Sequence, residues 1–276
     1  MPDISPAGYR ELFTREVRLP EDEIDLQRAA LYIAGEEYPG LDVDAYLLAI
    51  DEMAQQVKAS VGETADLEEL ARGLNAWFFD ELGFSGNAGD YYSPQNSFLN
   101  RVVDTRVGIP ITLSVLYLGL AGRLGLHCQG VGMPGHFLVN VRDLDLYMDP
   151  FHAGQLLSAA DCRRLAEQLF GQQFEWDDSY LAPTTSLRIL ERMLNNLRFI
   201  YFQLRDWLHL APVVERMLII DPDNTALYLV LARCQMDRGD KSAALESLES
   251  LIGRSNNVRE INAARDLIQR FSSANE

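Results

Sequence analysis

The chain has 276 residues, with 24 basic against 41 acidic side chains and a formal net charge of −17. So acidic a surface repels nucleic-acid phosphates and anionic lipid heads, which argues against nucleic-acid or membrane partners. Hydrophobic residues make up 47% of the chain, enough to bury a sizeable core.

In chain order, Met1 to Arg10 shows no basic segment leading into an apolar run, so no signal peptide is expected. Ile24, Leu26, Ala29, Ala30, Tyr32 and Ile33 recur at helical spacing until Tyr38-Pro39-Gly40 breaks the pattern. Asp42 or Asp44 can cap the next helix, which carries Tyr46, Leu47, Ile50, Met53, Ala54 and Val57. A third helix is predicted over about Ala65 to Glu81. The stretch from Gly83 to Ser97 is glycine-rich and aromatic, and reads as an irregular loop.

Gly108-Ile109-Pro110 opens a long apolar helix, with the proline suited to its first turn and Gly125 ending it. Thr112, Ser114, Gly119, Gly122 and Arg123 make this a buried helix rather than a membrane span. Two strands follow. A tight turn at Arg142-Asp143 predicts a hairpin with Phe137, Val139, Val141, Leu144, Leu146 and Met148 on an apolar face. The same register puts His136 directly opposite Asp149.

Ala182-Pro183-Thr184-Thr185 reads as a linker, and the chain is helical from about Leu187. Leu194, Leu197, Arg198, Arg205, Asp206, Leu210, Val214 and Met217 recur 34 residues later as Tyr228, Leu231, Ala232, Gly239, Asp240, Ala244, Leu248 and Leu251. That period reads as a tetratricopeptide pair, its first copy degenerate at Arg198 and Arg205. A last helix over about Val258 to Phe271 is expected to cap the stack.

A helix start followed by a hairpin carrying His and Asp is the layout of a Cys-His-Asp site. Such a site needs a thiolate at a helix N-terminus, an imidazole to move the proton and a carboxylate to orient the ring. Gly108-Ile109-Pro110, Ser114, Leu124-Gly125, Gly135-His136 and Asp149-Pro150 resemble the motifs of the transglutaminase-like superfamily. Tyr91 to Asn100, Gly130 to Phe137 and Asp149-Pro150-Phe151 are similar to its bacterial SirB-type branch, a transglutaminase-like core with tetratricopeptide repeats. The resemblance covers roughly residues 20 to 252 and implies an α+β fold. A papain/transglutaminase-like core, with a helical N-terminal part, a central buried helix and an antiparallel sheet, would precede an all-α tetratricopeptide-like tail. The expected divisions are 1–82 for the helical part, 83–182 for the core and 183–276 for the tail.

The resemblance aligns Pro110 with the family's nucleophilic cysteine, and His136 and Asp149 with the other two members. Proline has neither an attacking atom nor a backbone N–H there. A vestigial His136–Asp149 pair in a non-catalytic protein is therefore expected. The rival is a hydrolase or acyltransferase that uses Ser114 or a cleft water with His136 and Asp149. A small residue at 114 more often serves close packing than attack, Thr112 points off that face, and Cys128 lies past the helix's far end. His152 is close enough in sequence to line the same cleft. His136, Asp149 and His152 weigh more as a polar wall than as a metal site, and neither metal nor cofactor is expected. His127 and His209 stand apart from any ligand cluster.

Asn96 is read as a loop or helix cap in preference to a ligand-orienting amide. Arg106 is read as a cleft-side cation whose bland alternative is pairing with Asp104. The expected partner is a protein or peptide, held by the cleft or by the tail's concave groove, unless the tail only packs as a scaffold. Cys128, Cys162 and Cys234 are odd in number, far apart and free of any C-x-x-C pair, which suits a reducing compartment and a cytoplasmic location.

Overall fold

The computed structural model describes residues 4–62, 65–171 and 173–273. The chain divides into two compact units, Met1–Met193 and Leu194–Glu276. Residues 1–3 and 274–276, where the expected divisions begin and end, lie outside the described residues.

The first unit opens with a helix absent from the sequence reading. Ser5 caps α1 (Pro6–Glu16), which buries Tyr9 and Phe13. Asp25 caps α2 (Leu26–Glu37) and Asp42, not Asp44, caps α3 (Val43–Val61). A reciprocal Asp66–Glu69 capping box starts α4 (Leu67–Ala76), which runs into a π turn over Trp77–Glu81. The loop that follows is tied down by a two-residue parallel pairing of β1 (Ser85–Gly86) with β2 (Val107–Gly108). Between them lies α5 (Leu99–Thr105).

Helix α6 (Pro110–Arg123) is the centre of the unit. Every residue from Pro110 to Tyr117 is buried, as are Gly119, Leu120 and Ala121. Its apolar side chains are packed all round, which explains why they follow no single amphipathic stripe. Helix α2 approaches so closely that a β-carbon on Gly119 would stand 2.7 Å from the Gln27 side chain. The Gln27 amide donates to the Val115 carbonyl at 3.0 Å, so this buried polar group is satisfied.

A four-stranded antiparallel sheet follows, in the order β3 (Cys128–Val131), β4 (Leu138–Val141), β5 (Leu146–Asp149), β6 (Gln155–Leu157). Its register corrects the sequence expectation. Val139 pairs with Met148 and Val141 with Leu146, two residues out from the predicted hairpin. The chain spends Arg142–Leu144 on a 3-10 turn and places Asp145 in the left-handed region (φ 51°), where a two-residue turn was expected. A slip of two keeps the paired strand residues on their predicted faces, so Val139, Val141 and Met148 are still buried together, while Leu144, expected on that apolar face, falls in the turn instead. The opposite face is not solvent-exposed. Helix α7 (Ala159–Phe170) covers it, and Leu138 joins Val131, Met133, Leu157, Cys162 and Ala166 in a second apolar cluster.

Helix α8 (Ser186–Leu204) starts in the first unit. The second unit holds its later turns and α9 (Trp207–Ile220), α10 (Thr225–Asp237), α11 (Lys241–Arg254) and α12 (Val258–Ser273). Asp206 and Asp240 cap the second helix of each hairpin. Ala232, Ala244, Leu248, Leu251 and Ala264 form the core of the second hairpin and the last helix. Among the described residues no helix is long and apolar enough to cross a membrane.

Candidate functional site

His136 stands on the approach to β4. Gly135 before it has a left-handed backbone (φ 70°), and a β-carbon there would come within 2.9 Å of the Phe170 ring. Arg192 of α8 fixes the loop from outside. Its guanidinium donates to the carbonyls of Met133 (3.2 Å) and His136 (2.7 Å) and lies 5.4 Å from the Phe137 ring centroid. Burial lowers the Arg192 pKa. Nothing local in the sequence points to Arg192, because its partners lie more than fifty residues away.

Asp149 ends β5 and collects four hydrogen bonds. Its Oδ1 accepts the backbone N–H groups of Phe151 (3.0 Å) and His152 (3.3 Å). Its Oδ2 accepts from His136 Nε2 (2.8 Å) and His152 Nδ1 (2.7 Å). The Asp149 and His136 side chains are 2% and 8% exposed, whereas that of His152 is 54% exposed. Burial by itself would raise the Asp149 pKa. The hydrogen bond and charge of His136, then those of His152, outweigh it and hold the carboxyl below its ordinary value. An ionised carboxylate only accepts, so each imidazole presents an N–H to it. His136 therefore turns Nδ1 away from Asp149, and His152 turns Nε2 away.

The walls come from three elements. The Pro150–His152 turn packs against α6, and Phe151 sits where Gly86 of β1 has no side chain. Tyr91 meets Phe151 edge-on at 5.7 Å. Asn96 organises the Tyr91 loop, donating to the carbonyls of Asp90 (2.7 Å) and Tyr91 (3.2 Å) and accepting from the Asn87 amide (3.1 Å). The Asn96 carbonyl takes the Thr112 hydroxyl at 2.7 Å, which ties the loop to the start of α6. A hollow of about 300 Å³ opens beside the cluster, bordered by Asp149, His152, Gln155, Asp161, Arg164 and Gln168. A second hollow, of about 430 Å³, borders none of these residues, and its Arg28 already pairs with Asp44 at 3.0 Å.

Residues 44–195 match the family model described as Transglutaminase-like superfamily, and 211–268 match Tetratricopeptide repeat. The chain belongs to the transglutaminase-like superfamily. A UPF0162 protein of Xylella fastidiosa is 34% identical over 244 residues, 86% of either chain. A UPF0162 protein of Pseudomonas aeruginosa is 31% identical, over 82% of this chain and 86% of its own. Both are SirB-like relatives. F-box only protein 21 of Mus musculus is 32% identical over 60% of this chain but 28% of its own length. The fold is α+β with a small antiparallel sheet, a transglutaminase-like region and a helical tetratricopeptide tail.

Within the transglutaminase-like unit, the remaining predicted residues fall in three places. Pro110 is buried at the first position of α6. Ser114 is fully buried, and its hydroxyl donates back to the Pro110 carbonyl at 2.8 Å. Arg106 ends α5 in the left-handed region (φ 63°), with its guanidinium 4.8 Å from the Phe84 ring centroid and 4.0 Å from Met53 Sδ. It has no hydrogen bond to the His–Asp cluster among the described residues. Cys162 feels the Asp149 charge, but burial above all pushes its thiol up to about 12. Burial does the same to Cys128. His127 bonds Asp143 at 2.9 Å, outside the cluster. In the tetratricopeptide unit, His209 bonds Asp206 at 2.6 Å.

Proposed function

We propose that this chain is a transglutaminase-like protein without covalent catalysis, which acts in the cytoplasm by binding a protein or peptide partner. The start of α6 carries this reading. Pro110 stands where the family motif has its nucleophile, and the one hydroxyl a turn away, Ser114, is buried and spent on the Pro110 carbonyl. A buried hydroxyl bonded back to its own helix is a packing group rather than an attacking one. The three thiols are unpaired, and burial holds their pKa values near 12, 12 and 11, so thiolate is scarce at neutral pH.

The partner class rests on the tetratricopeptide match at 211–268, since such repeats commonly mediate protein contacts. The aromatic edge of Tyr91 and Phe151, with the half-exposed His152 beside the buried His136–Asp149 pair, offers a second contact surface in the first unit. The test pairs an activity assay with partner capture. Wild-type protein should release no ammonia from glutamine peptides and hydrolyse no peptide amide. It should retain a partner that is lost on truncation after Leu204, which keeps α8 and Arg192, or in His136→Ala. Amide turnover abolished by His136→Ala would sink the reading in favour of a cleft-water hydrolase.

A further inference from the structure

We propose that His136 Nε2, Asp149 Oδ2 and His152 Nδ1 form a binding site for one divalent first-row transition ion of the zinc class. The three donor atoms lie within 4.8 Å of one another. Both imidazole nitrogens meet the same carboxylate oxygen, at 2.8 and 2.7 Å, and the ring centroids are 5.8 Å apart. Neighbouring ligand atoms in a coordination sphere of 2.0–2.2 Å bonds stand roughly 3 Å apart, which the two nitrogen–oxygen distances already match, and the half-exposed His152 ring is free to turn so that the two nitrogens close on one ion. Two imidazoles and a carboxylate suit zinc, cobalt and their neighbours, and disfavour calcium and magnesium.

Three further features favour the ion. Asp149 is a buried carboxylate whose only ion-pair partners among the described residues are these two imidazoles. A cation seated among the three donors would pair with that carboxylate directly. The supports that orient metal ligands are also built. Two backbone N–H groups hold Asp149 Oδ1, and Arg192 holds the His136 carbonyl. Entry is open, since His152 is 54% exposed and the hollow of about 300 Å³ reaches both it and Asp149.

With the ion bound, each ring gives it the nitrogen that faces Asp149 and carries its proton on the opposite nitrogen. The sequence places the three residues near one cleft but does not show that they share one oxygen. This site stands apart from the partner-binding reading, because either can fail alone.

The test is cobalt(II) and zinc(II) titration of untagged full-length protein, by calorimetry and by the visible absorption of bound cobalt. One ion per chain is expected, with cobalt bands that zinc erases. His152→Gln keeps an N–H for Asp149 and should melt close to wild type without metal, whereas His152→Ala loses that hydrogen bond and should melt a few degrees lower. Each should lose affinity by more than the roughly 10–100-fold that follows loss of a supporting partner. Asp149→Asn should abolish the cobalt bands. No binding at millimolar metal, or unchanged binding in both His152 variants, overturns the site.

Discussion

Arg192 holds the carbonyl of His136 at 2.7 Å, fifty-six residues away in sequence, and spans Met133 with the same guanidinium. The imidazole that faces Asp149 is thus positioned from α8 as well as from its own strand. Arg192→Ala removes charged donors from two loop carbonyls and is expected to cost about 2 kcal/mol. Denaturant unfolding reads the cost, and hydrogen exchange should quicken at the amides of 135–138. Arg192→Lys should recover only part, since an ammonium cannot present the planar fork. Unchanged exchange in the alanine variant would show that the loop holds itself.

Asp149 predicts a pH dependence with a definite sign. Its carboxyl pKa is depressed in the folded chain, so folding is helped wherever the unfolded carboxylate is already ionised. That contribution is complete above about pH 4–5 and fades as the pH falls through the folded value, below about 4. Wild type should therefore melt higher than Asp149→Asn at neutral pH, with the gap closing under acid. Other depressed carboxylates, such as Asp143 and Asp161, remain in both proteins and drop out of the difference. A gap constant down to pH 3 would mean that the stability does not come from the ionised carboxylate.

The alternation of Val139 and Val141 with Asn140 marked the strand and its buried face, because a period of two survives any even slip in register. It did not give the pairing itself. That was decided by Asp145, a non-glycine residue in the left-handed region, which no turn motif in the sequence announced. His136 and Asp149 meet from the approach to β4 and the end of β5, not as a ladder pair. Asn96 was expected as a loop or helix cap; its amide holds the Tyr91 loop and caps no helix among the described residues, and its carbonyl is tied to α6 through the Thr112 hydroxyl, a contact sixteen residues off. Helix α1 went unread because it buries only Tyr9 and Phe13, too sparse a stripe to stand out as periodicity.

Pro110→Cys tests how far the site's electrostatics persist without a nucleophile. A cysteine at the first position of α6 meets the positive end of the helix dipole, which lowers a thiol's pKa. The three native thiols are held near 12, 12 and 11 and should resist iodoacetamide at neutral pH. The variant is expected to take up one label per chain, assigned to position 110 by mass spectrometry. Adding His136→Ala should slow that labelling if the imidazole reaches the introduced thiol. Label on Cys128 or on the buried Cys162 in the native protein would contradict their protonated state.

The tail carries its own test in Arg205 and Gly239, which end the first helices of the two hairpins. Both hold a left-handed backbone, φ 54° and 77°. Their turns bond alike: Arg205 N–H to Phe202 O (3.1 Å) and Asp206 N–H to Tyr201 O (2.9 Å), against Gly239 N–H to Met236 O (3.0 Å) and Asp240 N–H to Gln235 O (2.9 Å). An L-residue in that conformation costs roughly 1–2 kcal/mol. Glycine removes the strain but gains freedom in the unfolded chain worth about 0.4–1 kcal/mol. Arg205→Gly should therefore stabilise the tail by about 0.5–1 kcal/mol, a rise of a few degrees in its melting temperature. Gly239→Arg should lose a similar amount. If Arg205→Gly melts lower, the exposed Arg205 side chain contributes more than its backbone costs, and the first copy's departure from glycine is an adaptation rather than decay.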